Sequence, residues 1–426
     1  MSETKKFEVK DKTPMLDELE SGPWPSFVTD LKELSKEKPA IKQLLGQLEQ
    51  SYEDKWNYWQ GTVLNVDGYG GGVIARYSEL SEQYPDIAQF HTIRILPPPG
   101  WVYSTEKLRE LCDIWEKHSA GIIQLHGMTG DILLLGSDNK TTFEAAEELM
   151  EAGWDLGGSG AALRTLACCV GDARCEMSCI DTMGITKHLT DKFISQLHRP
   201  ELPYKYKFKV SGCANDCAAS IQRSDMPIIG TWRDAIKIDQ DEVGKFVEKH
   251  GADYVVDNVI SLCPTKCIHL RDNKIEVDDD DCVKCMHCIN VMHKALAVGD
   301  DKGATILIGG KRTLKIGDTM SSVLIPFMPL KTDEDMEKLT DLVERIWDFW
   351  GDHGLEHERV GEFIARVGLG AFLDGIGMEP DPQMVMHPRT SNFIKFEELA
   401  PGKIAGEPEH DPAVVNEEVE TMEKSV

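Results

Sequence analysis

The chain has no apolar run approaching the roughly 18 residues that a membrane helix needs. Its opening residues, MSETKKFEVKDK, also lack the apolar stretch of an export signal. The expectation is a cytoplasmic protein without membrane insertion. Positive charge is scarce as well: 46 Lys and Arg stand against 73 Asp and Glu, for a net charge of −27. Such a balance repels a phosphate backbone, so nucleic-acid binding is disfavoured. Any cations serving an anionic substrate must then be gathered locally, against the field of the whole chain. No short repeat is visible, and Gly70-Gly71-Gly72, although it follows a strand-like run, matches neither a P-loop nor a dinucleotide fingerprint.

What is present is a soluble composition, 41% hydrophobic and 28% charged, in 426 residues, which is long enough for two or three domains. Twelve cysteines without an export signal point to metal ligands or reduced thiols rather than disulfides. Cys112 stands alone on the helical stretch TEKLRELCDIWEKH, where its position on the apolar face predicts a core thiol. The other eleven fall between Cys168 and Cys288.

The spacing of apolar residues divides the chain into an α+β protein. Residues 1–60 read as polar helices broken at GPWPSF, a wrapping arm. Over 61–165, short apolar runs (TVLNV, HTIRIL, DILLLG) alternate with helical stretches, predicting a mixed sheet domain. Residues 237–302 are acidic and cysteine-rich, and strand-like sequence resumes after them at ATILIGG. This segment therefore reads as an insertion dividing a domain made of 166–236 and 303–400. The last 25 residues, within 401–426, are an acidic tail expected to be extended or partner-bound.

The insertion holds Cys282-Val-Lys-Cys285-Met-His-Cys288, a C-x2-C-x2-C run whose three thiolates can reach three corners of a [4Fe–4S] cube. Ferredoxins take their fourth ligand from a cysteine before proline, and Cys263-Pro264 supplies one. A zinc site would also use four cysteines but usually pairs two C-x2-C knuckles, so iron–sulfur is favoured. With one triplet the segment holds one cluster, and Cys267 reads as a bystander.

A second set comprises Cys168, Cys169, Cys175 and Cys179, followed by Cys213 and Cys217 within SGCANDCAAS. Cys169-x5-Cys175 and Cys213-x3-Cys217 form a pair of pairs able to enclose another cube, and the small residues around the second pair permit close approach by a flat cofactor. Spacing alone leaves open whether these thiols are ligated. Lys205-Tyr-Lys207-Phe-Lys209 alternates with strand period, so its ammonium groups share one face; without other context that is a solvated face.

Together these motifs resemble the sulfite and nitrite reductase family, in which C-x5-C and C-x3-C bind a [4Fe–4S] cluster bridged to siroheme. The insertion, with VDGYGGGVIARYSE, GPWPSF, CPTKC, CMHCIN and ATILIGGK, looks closest to the alpha subunits of dissimilatory sulfite reductases, over about residues 20 to 400. The resemblance implies siroheme domains of that family's type with an inserted ferredoxin-like domain. It implies cluster ligation by Cys169, Cys175, Cys213 and Cys217, with the Cys217 sulfur as the axial bridge to siroheme. It assigns nothing to Cys168 or Cys179. The glycines at 70–72 are expected to let backbone approach the tetrapyrrole closely.

The resemblance also turns the lysine face into a pocket lining. Arg94, Arg164, Lys205, Lys207 and Lys209 are expected to hold sulfite and relay protons, and Arg76 and Arg223 to bind siroheme carboxylates. Arg359 could pair with such a carboxylate or with a helix-face glutamate, and His126 and His287 are expected to be structural. Implied cofactors are siroheme, or iron-free sirohydrochlorin, and two [4Fe–4S] clusters per chain. Implied partners are a homologous beta subunit in an α2β2 complex and a small sulfur-carrier protein with C-terminal cysteines. In that architecture the cations of one subunit face a siroheme whose cluster the other holds. The implied reaction is multi-electron reduction of sulfite toward sulfide, or its reverse in a sulfur oxidiser. Two rivals stand beside it: a siroheme nitrite reductase, and a non-catalytic electron-transfer or structural subunit.

Overall fold

The computed structural model describes residues 9–10, 12–22, 26–66, 69–127, 129–312 and 319–386. The acidic tail, and parts of GPWPSF and VDGYGGG, lie outside those residues. The first sheet is antiparallel, in the order β1 (Trp59–Val66), β2 (Tyr69–Ser78), β3 (His91–Ile95), β5 (Ile132–Ser137), β4 (Ile122–Leu125). Val73, Ile93, Ile95, Ile132 and Leu134 occupy one face and pack on Leu111, Ile114 and Trp115 of helix Thr105–His118 and on Ala145, Ala146 and Leu149 of helix Asn139–Glu151. Both helices start on side-chain caps, Ser104 accepting from Lys107 N and Asp138 from Thr141 N. Because side chains alternate along a strand, and Ile74 pairs with Thr92, Arg76 and Arg94 share the opposite face.

The second sheet begins with β6 (Ala167–Cys168), β7 (Phe208–Ser211) and β8 (Met226–Trp232), which are parallel neighbours. The chain then leaves the sheet. It forms β9 (Lys237–Ile238), the hairpin of β10 (Ile268–Arg271) and β11 (Lys274–Val277), and β12 (Leu296–Ala297). It returns as β13 (Lys302–Ile308), antiparallel to β8, followed by β14 (Ser322–Met328). The insertion is closed at its neck by β12 pairing with β9. Its hairpin turns on Asp272 and Asn273 at φ 50° and 60°, the left-handed geometry that matches the twist of a two-residue hairpin.

Beneath the second sheet, Tyr206 and Phe208 are fully buried against Trp347 and, through Tyr206, Trp350, both from helix Asp333–His353. The helices of the arm, Pro14–Glu20, Phe27–Leu34 and Pro39–Asp54, seat Leu16, Val28, Leu31, Ile41, Leu44 and Leu45 on Tyr58, Leu80, Tyr84, Ile87 and Phe90. Glu49 is buried and accepts the N–H groups of Met15 and Leu16 at 2.9 and 3.0 Å, satisfying two otherwise orphaned donors at the first helix's start. Among the described residues no helix is long and apolar enough to cross a membrane.

One expectation is corrected. Cys112 is exposed: the buried stripe of its helix is Leu111, Ile114 and Trp115, and Cys112 lies beyond its edge. Gly70, Gly71 and Gly72 are closely approached by this chain's own residues. A Cβ on them would meet Pro200 Cδ at 2.5 Å, Ser159 Oγ at 3.0 Å and Leu156 Cβ at 2.9 Å, and Gly72 also has φ 89°.

Trp350→Ala removes a fully buried ring from beneath the lysine-bearing strand and is expected to destabilise the chain by about 3–5 kcal/mol. A thermal melt of the native protein checks this, and a melting temperature unchanged from wild type would contradict the packing described.

Candidate functional site

In the insertion, the run from Cys282 to Cys288 curls through left-handed conformations at Lys284 (φ 55°) and Met286 (φ 65°). Side-chain-bearing residues adopt that region at a cost, and turns of this kind point successive N–H groups into a concavity that suits an anionic centre. The resulting pocket is walled by Trp232, Ile236, Val259 and Ile289 and receives Cys263, Cys267, Cys282, Cys285 and Cys288. Burial favours the neutral Cys263 thiol, yet the N–H groups of Cys267 and Thr265 bond to it and hold it below the usual thiol range. Cys267 is no remote bystander: it is buried, and its Sγ lies 3.6 Å from Cys263 Sγ. An apolar cavity with an all-sulfur donor set fits a cubane cluster.

The second thiol set follows from strand topology. Because β6 and β7 are parallel neighbours, Cys169 and Cys213, just beyond their C-terminal ends, emerge at the same edge. Cys175 follows the turn Gly171–Ala173, and Cys217 lies in the loop before helix Ser220–Arg223. Gly212 donates its N–H to Cys169 Sγ at 3.1 Å, and a Cβ on it would strike Ser178 Oγ at 2.4 Å. Burial raises the Cys213 thiol, the Asn215 N–H holds it down in part, and the fields of Cys175, Cys217 and Cys169 raise it further. The set fits a second cubane, with the exposed Cys217 at its outer side. Cys168 points instead into the core of the second sheet. Cys179 is buried nearer the insertion, its thiol pushed up to about 12 by desolvation. Asn215, between Cys213 and Cys217, exchanges amide hydrogen bonds of 3.1 and 2.6 Å with Asn290, two residues after the insertion's Cys288.

The cations gather on the face of β7 and its approach that is turned away from Tyr206 and Phe208. Lys209 is 3% exposed and donates to Ala218 O at 2.8 Å, and the half-buried Arg223 adds to the field around it. Lys207 is pushed down to about 7 by burial and then by Arg359, and Lys209 to about 8 by burial and then by Arg223. Lys205 is lowered by burial and lies 4.9 Å over the Tyr204 ring. Arg164 hydrogen-bonds Gly160 O at 3.1 Å, while its buried Nε has no partner; burial and then Arg94 push it down to about 10. Arg94 is held by Asp131, Nε and Nη2 donating to Oδ2 at 3.1 and 2.7 Å, with Thr129 on the same carboxylate. Arg76 lies across Gly61, where a Cβ would be 1.8 Å from Nη1.

The guanidinium of Arg359 is paired with an aspartate rather than with a helix-face glutamate. It donates bidentately to Asp225, 2.7 and 2.6 Å, with both residues buried. Glu362 instead accepts the Arg359 backbone N–H at 2.8 Å. The field of Asp225 also acts on Lys207, against those of Arg359, Arg164 and Lys205, so cations outnumber carboxylates around that side chain. Such a surface fits a carboxylated macrocycle or a small oxyanion. Sequence reading missed Asp131 and Asp225. Their signal was a lone aspartate at the mouth of an apolar strand, in GDILLLG and SDMPIIG. His126, 2.7 Å from Thr129 Oγ1, borders this group, whereas His287 bonds the Asn258 carbonyl at 2.7 Å within the insertion.

Comparison with known proteins bears on this arrangement. The family model for the nitrite and sulphite reductase 4Fe-4S domain matches residues 159–383, and that for the nitrite/sulfite reductase ferredoxin-like half domain matches 83–152. The chain is 52% identical over 395 residues to the dissimilatory-type sulfite reductase alpha subunit of Allochromatium vinosum, covering 91% of this chain and 95% of that one. It is 42% identical to the corresponding subunit of Nitratidesulfovibrio vulgaris, covering 92% and 96%. A crystal structure of dissimilatory sulfite reductase I superposes with a TM-score of 0.83 at 40% identity, covering 96% of this chain and 99% of that one. More distant relatives include beta subunits of the same type.

Two predictions follow from the cation face. An anion bound against Lys207 should raise its lowered pKa, so binding about one pH unit above 7 should take up most of a proton, and binding one unit below should take up almost none. Calorimetry in buffers of different ionisation enthalpy, using an anion whose own charge is fixed over that window, measures this; Lys207→Met should abolish the uptake. Asp225→Ala strands the buried Arg359 guanidinium and is expected to cost about 3–5 kcal/mol, read as a lowered melting temperature.

Proposed function

The chain belongs to the nitrite and sulphite reductase family as a dissimilatory-type sulfite reductase alpha subunit, and from that premise we propose how its residues divide the work. The protein is an oxidoreductase subunit of an alpha/beta complex, in a family that carries siroheme and iron–sulfur clusters. When bound, the clusters supply single electrons, and siroheme supplies the iron on which sulfite is held.

The observation that carries the reading is the row Lys205, Lys207 and Lys209 beside Arg164, a group of cations withdrawn from water with a surplus of charge over the carboxylates around it. These four side chains and Arg94 orient the sulfite dianion, and Arg76 and Arg223, with Arg359 where a carboxylate reaches it, receive the macrocycle's carboxylates. Arg94 is fixed in place by Asp131, which suits an orienting role more than a mobile one. Lys207, titrating near 7, is matched to giving up and regaining a proton at the operating pH. Lys209 is tied to the Ala218 carbonyl and aims its charge at a fixed point.

Cys169, Cys175, Cys213 and Cys217 would hold the cluster coupled to the tetrapyrrole, with Cys217 as the thiol that links the two; Cys263, Cys282, Cys285 and Cys288 would hold the second. The shared strand edge of Cys169 and Cys213, and the common pocket of the insertion's thiols, support these two sets. The domains serve accordingly, within an α2β2 assembly: 61–165 contacts substrate and macrocycle, 166–236 with 303–400 carries the coupled cluster, and 237–302 delivers electrons. The protein works in the cytoplasm, with a small sulfur-carrier protein that uses C-terminal cysteines.

Lys207→Met and Arg164→Met are expected to lower sulfite turnover by about 10²-fold or more, with tetrapyrrole, iron and acid-labile sulfide unchanged. Turnover at the wild-type level with cofactors in place would reassign the chain as an electron-transfer subunit. The native complex should yield siroheme or its iron-free form, and iron and sulfide for two cubanes per alpha chain.

A further inference from the structure

We infer that Cys267 is a reserve ligand of the insertion's iron–sulfur centre, placed to take over the corner that Cys263 holds. The inference rests on the reading that Cys263, Cys282, Cys285 and Cys288 bind that centre, and it extends that reading to a fifth thiol. Five cysteines enter one pocket, whereas a cubane has four corners. Cys267 is the fifth, and it is not merely nearby: its Sγ is 3.6 Å from Cys263 Sγ, and it also makes a side-chain contact with Cys282. It thus lies against one of the proposed ligand sulfurs and in the same pocket as the other three. An ordinary core thiol would account for its burial but not for that position.

The local backbone makes the arrangement specific. Pro264 fixes the bend after Cys263, and Lys266 N–H closes the turn on Cys263 O at 3.2 Å. Lys266 then takes a left-handed φ of 58°, which brings Cys267 back beside Cys263. On its far side Cys267 is anchored by the Asp278 N–H, 2.8 Å from its carbonyl oxygen. Cys263 and Cys267 are 6% and 4% exposed, so exchange between them needs no thiol brought in from solvent. The exchange is a substitution at one iron. The bond from Cys263 Sγ breaks, the bond from Cys267 Sγ forms, and the Cys267 thiol proton passes to the departing Cys263 thiolate. No oxidation state changes. Such a thiol would let the site keep its cluster when Cys263 is transiently displaced.

The test uses the anaerobically purified complex as wild type, Cys263→Ala, Cys267→Ala and the double variant. Iron and acid-labile sulfide are counted per chain, low-temperature EPR is recorded after reduction, and the tetrapyrrole absorption serves as the folding control. Cys263→Ala is expected to keep the wild-type iron and sulfide, with the EPR signal of the insertion's cluster shifted by its new ligand. The double variant is expected to lose one cluster. Cys267→Ala is expected to keep full content but release iron to a ferrous chelator several-fold faster. The proposal is overturned if Cys263→Ala, with intact tetrapyrrole absorption, has lost as much as the double variant, or if Cys267→Ala alone loses the cluster. Should Cys263→Ala yield no complex, an unchanged chelation rate in Cys267→Ala overturns the proposal, and a several-fold faster rate supports it. A wild-type complex with one cluster per chain instead removes the underlying ligand assignment, a distinguishable result.

Discussion

The interaction on which the site depends is the burial of Tyr206 and Phe208 against Trp347, with Tyr206 also on Trp350. A strand sends alternate side chains to opposite faces, so anchoring those two rings obliges Lys205, Lys207 and Lys209 to project together from the other side. Apolar packing of this size outweighs the cost of withdrawing ammonium groups from water, and that cost reappears as the lowered proton affinity of all three lysines. The hydrophobic core beneath the sheet thus sets the electrostatics above it. The chain's acidic surface makes the local gathering more notable, since the global charge of −27 opposes it.

The same sheet organises the thiols. Two adjacent parallel strands, β6 and β7, deliver Cys169 and Cys213 to one edge, and the crossover between them leaves room for Cys175. The insertion interrupts the sheet between β8 and β13, and the β9–β12 pairing closes it where it leaves. Asn215 and Asn290 then join a loop of one cysteine set to a helix of the other. Two thiol sets separated along the chain are thereby tied to the same sheet, one at its strand edge and one through the insertion.

Local spacing was enough to read the C-x2-C-x2-C run, the paired cysteines, the alternating lysines and the inserted character of the acidic segment. Cys112 shows where such reading fails, because the edge of a helix's apolar stripe is decided by which neighbour covers it, and Leu111, Ile114 and Trp115 took the covered positions. Gly70, Gly71 and Gly72 show a limit of another kind: glycine signals that something approaches closely without saying what, and the chain's own residues at 156–159 and 200 lie against them.

By itself, then, the sequence determined the chemistry of the donors: eight thiols in ligand-like groupings, a row of like charges with period two, and a net charge that disfavours a polyanionic partner. Tertiary structure decided which groups face one another. Asp131 met Arg94 from the next strand in the sheet, Asp225 met Arg359 across 134 residues of chain, and Cys267 came to lie against Cys263 through a left-handed turn. Periodicity specifies the direction of a side chain relative to its own strand or helix. The partner it finds there depends on how separate elements pack, and that is settled only when their apolar faces are buried together.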